Sequence, residues 1–108
     1  MDKQSIKRSL AELKETLVNR FAEGVELYLF GSVARNDYSP ESDIDVLVLL
    51  PGEVDTQLKR EIIYLGFDIG IKNDVVFNLV SRSKRIWDSK MSAVTPFHQN
   101  LEREAILL

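Results

Sequence analysis

Two segments with the pattern of β-strands, joined by a short polar connection, constrain the fold of this chain more than any other feature. Residues 25–30 are rich in aromatic and branched side chains and stop abruptly at Gly31-Ser32. The second extended segment runs from about Asp43 to Leu50 and follows the polar, proline-containing residues 37–42. This composition predicts a loop between two strands. Because the loop is short, we expect the two strands to be neighbours in one sheet.

Helical periodicity flanks the two strands. Large apolar residues recur at steps of three or four before the first strand, which predicts one buried helix face; they are Ile6, Leu10, Leu13, Leu17 and Phe21. A second amphipathic helix is marked by Leu58, Ile62, Leu65 and Ile69. We expect Asp2 or Ser5 to cap the first helix, with Gly24 ending it, and Asp55 or Thr56 to cap the second, which should end between Gly70 and Asn73.

The rest of the chain completes the order of elements. Asp74 to Val80 is predicted as the third strand, a short helix should begin at Ser83, and Thr95-Pro96 is a typical helix start, since proline suits the first helical position. The order helix, strand, strand, helix, strand, helix predicts an α/β (α+β) fold in which helices pack on a small mixed sheet. With no repeat or linker in residues 1–108, we expect a single domain.

Composition excludes several classes of protein. The seventeen acidic residues outnumber the fourteen basic ones, so free nucleic-acid binding is not expected. The chain has no cysteine and therefore no disulfide framework or thiolate nucleophile. Neither a signal peptide nor a membrane span is predicted, because the longest apolar run is residues 46–50. We expect a cytoplasmic protein.

The candidate chemistry lies at the ends of the first two strands. Glycine and a small hydroxyl residue at a strand end, as in Gly31-Ser32, let the backbone approach a phosphate closely. Side chains alternate along a strand, so Asp43 and Asp45 should point to the same side while Ile44 points to the other. Two such carboxylates repel each other unless cations lie between them, and they suit Mg²⁺ bound together with a nucleotide triphosphate.

Each half of this constellation has a simpler interpretation on its own. A glycine–serine pair is usually a turn, and Asp-X-Asp is usually a strand entry or a solvated loop. Exactly ten residues separate Ser32 from Asp43. This connection returns the chain to a neighbouring strand. It should bring Gly31-Ser32 and the two aspartates within reach of one triphosphate.

These residues resemble a known motif. Gly31-Ser32-Val33-Ala34-Arg35 followed by Ser42-Asp43-Ile44-Asp45-Val46 is similar to the motif of the polymerase-beta-like nucleotidyltransferase superfamily. Within it, the chain resembles the minimal nucleotidyltransferases (MNT), which occur beside HEPN-domain proteins as MntA-type antitoxins. The resemblance implies that Ser32 and the backbone near Gly31 hold the β- and γ-phosphates of the nucleotide, while Asp43 and Asp45 bind two Mg²⁺ ions.

The resemblance also implies a third carboxylate on the strand after the second helix. Asp74 is the first candidate, as a ligand of the catalytic metal and as the acceptor of the attacking hydroxyl's proton; Asp68 is the reserve. Arg35 is a candidate for nucleotide binding, with pairing to Asp37 or Glu41 as the structural alternative.

Other notable residues are assigned structural roles. Asn36 stands where many relatives carry glycine, and asparagine tolerates a left-handed conformation. Ser42 should brace the turn before Asp43, His98 should be a surface residue, and Tyr28, Tyr64 and Trp87 should pack, while Tyr38 in the loop is within range of a base.

The function implied is transfer of a nucleoside monophosphate, AMP from ATP, to a hydroxyl of another molecule. The chain ends soon after its third strand, so the acceptor should arrive with a partner. By resemblance the partner is a HEPN-domain toxin ribonuclease that is neutralised by AMP transfer to a tyrosine. The alternatives are a non-catalytic module that inhibits a partner by binding it, or an antibiotic-modifying nucleotidyltransferase that needs a homo-oligomer to complete its pocket.

Overall fold

The fold is a small mixed sheet covered by helices on both faces. The computed structural model describes residues 1–22 and 24–108. The elements in chain order are α1 (Lys3–Phe21), β1 (Glu26–Phe30), α2 (Gly31–Arg35), β2 (Ile44–Leu50), α3 (Thr56–Asn73), β3 (Phe77–Ser83), α4 (Lys84–Trp87), α5 (Lys90–Ala93), α6 (Pro96–Glu104) and β4 (Ile106–Leu107). The strand order is β3-β2-β1-β4. This architecture confirms the predicted fold class.

The sheet contains both antiparallel and parallel strand pairs because its strands are connected in two different ways. β1 and β2 are antiparallel neighbours, as the short loop between them predicted, whereas β2 and β3 are parallel and joined by the crossover helix α3. Both faces of β2 are covered, which explains why its side chains from Val46 to Leu50 are all buried.

One face of the sheet packs against α1 and α3. The predicted apolar stripes supply this core: Leu13, Leu17 and Ile62 are fully buried against Ile44, Val46 and Val48 of β2. Side-chain caps start both helices, because Asp2 accepts a hydrogen bond from the N–H of Ser5 and Asp55 accepts one from Leu58. α3 ends at Asn73, within the range predicted from Gly70 to Asn73. α1 ends at Phe21 with Ala22 as its C-cap, before Gly24, the residue that was expected to end it.

The opposite face packs against α6. Leu47 and Leu49 of β2 meet Leu101, and the rings of Phe30 and Trp87 contact Phe97 edge to face. Thr95 caps α6 and Pro96 follows it, as predicted. None of the helices in the two described ranges is long and apolar enough to cross a membrane.

Two side-chain predictions were wrong. His98 is buried rather than exposed: its ring stacks on Trp87 at 4.0 Å and is hydrogen-bonded to Ser92 and Glu102. Tyr64, expected to pack, has 66% of its surface exposed on α3. Trp87 packs as predicted, and Tyr28 is largely buried beside it.

The third strand begins later than predicted. Asp74 has a left-handed conformation with φ +54°, and the N–H of Val75 returns to the carbonyl of Gly70. This C-terminal cap of α3 occupies the first residues of the predicted strand, so β3 starts at Phe77. The short α5 and β4 were not predicted, because neither has a periodic pattern long enough to identify it.

Candidate active site

The candidate site forms where β1 ends and α2 begins. Gly31 has φ +74°, and a Cβ built on it would overlap Oδ2 of Asp45 and lie 3.0 Å from its Cγ. In the antiparallel register Asp45 faces Phe30, so strand pairing brings its carboxylate against the start of α2. Glycine is therefore required twice, for the backbone conformation and for this close approach. Of the two predicted carboxylates, Asp45 is shown to lie beside Gly31.

The two aspartates stand on either side of a buried residue. Ile44 is completely buried against α1 and α3, whereas Asp43 is exposed and Asp45 is partly exposed. Within β2 the alternation directs the carboxylate of Asp45 to the sheet face opposite Ile44, while Asp43 is the residue just before the strand. Oδ1 of Asp45 accepts a hydrogen bond of 2.9 Å from Nδ2 of Asn78, the residue that faces it in the parallel register with β3.

The connection from α2 to β2 is held by local hydrogen bonds. Asn36 is left-handed with φ +60°, as its replacement of glycine predicted, and ends α2. The N–H of Asp37 donates to the carbonyl of Ser32. Ser42 braces the turn before the carboxylates, because its Oγ accepts a 2.9 Å hydrogen bond from the N–H of Ser39. Ser32 itself is half-buried in the first turn of α2.

Arg35 is engaged by two carboxylates of this chain. Its guanidinium lies 3.2 Å from Asp37 and 3.1 Å from Glu104, and these partners, Glu104 foremost, raise the pKa of Arg35. Glu104 also accepts a hydrogen bond of 3.3 Å from the N–H of Gly31. The predicted structural pairing of Arg35 with Asp37 is therefore present. The contact of Arg35 with Glu104 was not predicted from the sequence. No local pattern could identify it, since it lies 69 residues further along the chain.

The two candidates for a third carboxylate lie on α3 and at its C-cap, not on β3. Asp74 is the exposed C-cap of α3 and lines a cavity of about 580 Å³ together with Glu41 and Ser42. Asp68 lies on the exposed face of α3 beside Tyr64. Within residues 1–22 and 24–108, no three histidine, aspartate or glutamate side chains are close enough together to hold a metal ion. The place on β3 that faces Asp45 is occupied by the amide of Asn78.

The sequence of this chain matches a known domain family and two related proteins. The sequence profile described as "Nucleotidyltransferase domain" matches residues 10–95. Two proteins of Methanocaldococcus jannaschii, both provisionally named protein adenylyltransferases, are similar to this chain. MJ0604 is 33% identical over 99% of this chain and 97% of its own length; MJ0141 is 36% identical over 61% of this chain and 67% of its own length.

Solved structures share the fold at lower identity. A chain of a toxin–antitoxin complex with AMP-PNP superposes with a TM-score of 0.60 and 19% identity, over 88% of this chain and 68% of that one. A chain from the complex of tri-AMPylated Shewanella oneidensis HEPN toxin with MNT antitoxin gives 0.54 and 20% over 92% and 70%. With most of its length matched by the family profile, the chain belongs to the nucleotidyltransferase domain family and is a nucleotidyltransferase.

Proposed function

We propose that this chain transfers AMP from ATP to a hydroxyl group of a HEPN-domain partner and thereby acts as an antitoxin. The observation that carries the proposal is the contact between Asp45 and Gly31, because it joins the carboxylate pair to the start of α2. The names of the two M. jannaschii relatives support adenylyl transfer. The HEPN complex among the structures of the same fold supports the partner. A cytoplasmic setting would supply the ATP.

The residues of the site fit a magnesium–nucleotide complex. Asp43 and Asp45 offer hard oxygen donors at the start of β2, and Mg²⁺ is commonly held by one or two carboxylates together with substrate phosphates. Ser32 and the backbone of the first turn of α2 would hold the β- and γ-phosphates. When bound, Mg²⁺ stabilises the negative charge on the phosphate oxygens during displacement.

The proposed transfer is an in-line displacement at the α-phosphorus. The acceptor oxygen forms a bond to this phosphorus, the bond to the bridging oxygen of the β-phosphate breaks, and pyrophosphate leaves. The hydroxyl proton passes to an ionised carboxylate of the site. We propose Asp74, the C-cap of α3, as that acceptor.

An exposed apolar stripe on α3 supports delivery of the acceptor by a partner protein. Ile63, Tyr64, Phe67 and Ile71 each expose more than half of their surface and recur at helical spacing. Contiguous apolar surface of this kind marks an interaction site in many proteins.

The test is label transfer from α-labelled ATP in the presence of Mg²⁺ and the co-purified partner. We expect label on the partner with the native chain and its loss in Asp43→Asn and Asp45→Asn. Asp88→Asn is the matched control, because Asp88 is an exposed carboxylate that follows β3 and α4, at the far end of the sheet. In the same assay, Asp74→Asn and Asp68→Asn determine which of the two carboxylates takes part.

A second candidate is a binding module that inhibits the partner without catalysis. The amide of Asn78 at the β3 position facing Asp45 favours it, because the resemblance led us to expect a carboxylate on this strand. The binding module predicts that the native chain transfers no label, while the native chain, Asp43→Asn and Asp45→Asn all still silence the partner. That result would refute the transferase proposal and support the binding module.

A further inference from the structure

We propose that Asn78 positions Asp45 for cation binding, by holding one oxygen of its carboxylate in a fixed orientation. The inference deepens the proposed function and rests on it, since it concerns the metal-binding half of the same site.

Hydrogen-bond chemistry determines how the Asn78 amide is turned. An ionised carboxylate can only accept, so the NH₂ group rather than the carbonyl of Asn78 must face Asp45. The 2.9 Å distance from Nδ2 to Oδ1 is that of a well-formed bond. On the other side, Oδ2 of Asp45 lies against Gly31. Both oxygens of this carboxylate therefore have a defined neighbour.

The strand itself fixes the place of Asn78. Its two neighbours in sequence, Phe77 and Leu79, pack into the core beneath α1 and α3, which directs Asn78 to the face that carries Asp45. Val76 and Val80, two residues away on either side along the chain, are apolar. Asparagine is disfavoured in strands, and the carboxylate of Asp45 gives this exposed amide a hydrogen-bond partner.

Positioning matters here because Asp43 and Asp45 carry like charges two residues apart along the chain. With no cation present, repulsion favours rotamers that turn the carboxylates apart. The amide donor opposes this rotation of Asp45, so the carboxylate stays oriented before the metal–nucleotide complex arrives.

The test is a double-variant cycle on cation affinity, independent of any transfer activity. Mn²⁺ with AMP-PNP is titrated calorimetrically into the native chain, Asn78→Ala, Asp45→Ala and the double variant. We expect Asn78→Ala alone to weaken binding about tenfold, the effect of losing one hydrogen bond to a charged group. In the Asp45→Ala background the same change should have no effect, because Asn78 acts through Asp45. Asn19→Ala is the control, an exposed asparagine on α1.

The outcomes separate this inference from the proposed function. Three results would overturn the positioning role. They are equal binding by the native chain and Asn78→Ala, an equal loss of affinity from Asn78→Ala in both backgrounds, and no Mn²⁺ binding by the native chain. Label transfer by the native chain is scored separately, so the function can stand when the inference fails. If Asn78→Ala does not fold, Asn78→Ser replaces it in the cycle, and its hydroxyl donor is expected to retain part of the affinity.

Discussion

Replacing Gly31 with alanine should destabilise the protein and disable the site through one defined contact. The new Cβ meets two penalties: φ of +74° costs an L-residue about 1–2 kcal/mol, and the overlap with Oδ2 of Asp45 forces a side-chain shift that costs about 1–3 kcal/mol. Together they predict a loss of about 2–5 kcal/mol in the free energy of unfolding. Label transfer should fall with it, because Asp45 must turn away from α2 and from Asn78.

The assay is urea denaturation of Gly31→Ala in two backgrounds. With Asp45→Ala the carboxylate is absent, so only the backbone penalty of about 1–2 kcal/mol should remain. Gly52→Ala is the matched control: a Cβ there has no neighbour within 4 Å, and the change should stay within about 0.5 kcal/mol. An equal cost of Gly31→Ala in both backgrounds would refute the assigned contact with Asp45.

Three further substitutions test the packing and charges around the site. Glu104→Ala removes the carboxylate that joins α6 to α2 and should lower the melting temperature by about 2–5 °C in calorimetry; an unchanged value would show that the contact is not formed in solution. His98→Ala leaves a gap against Trp87 and should cost about 2–4 kcal/mol in urea unfolding, whereas a surface histidine would cost almost nothing. Lys72 holds the pKa of Glu12 below its ordinary value, so this carboxylate stabilises the fold above the unfolded pKa and the contribution disappears as pH falls through the folded pKa. Melting temperatures of Glu12→Gln and the native chain should therefore differ at pH 7 and converge in acid; a constant difference would contradict the assignment.

The elements that sequence reasoning located correctly are those with a local signal. The stripe from Ile6 to Phe21 and the caps at Asp2 and Asp55 act over three or four residues, so helix positions follow from neighbouring side chains. The end of β1 at Gly31 was also predicted from a local signal, because the strand pattern stops abruptly at Gly31-Ser32.

What could not be predicted depends on tertiary contacts. The start of β3 moved because Asp74 adopts a helix-capping conformation that aspartate tolerates but does not require. Asn78 faces Asp45 only in one register of two parallel strands, and the strand pattern is compatible with several. The burial of His98 was not predicted because it depends on Trp87 of α4 packing against α6 on the same face of the sheet.

The contact between Glu104 and Gly31 should form late in folding. It closes a loop of 73 residues, and β4 then pairs with β1 beside it. Such long-range contacts carry a large entropic cost of closure and follow the local hairpin of β1 and β2. The turn at Gly31 thus acquires its final environment late, after α6 has docked. Hydrogen exchange started during refolding should find the amide of Gly31 protected after those of β2.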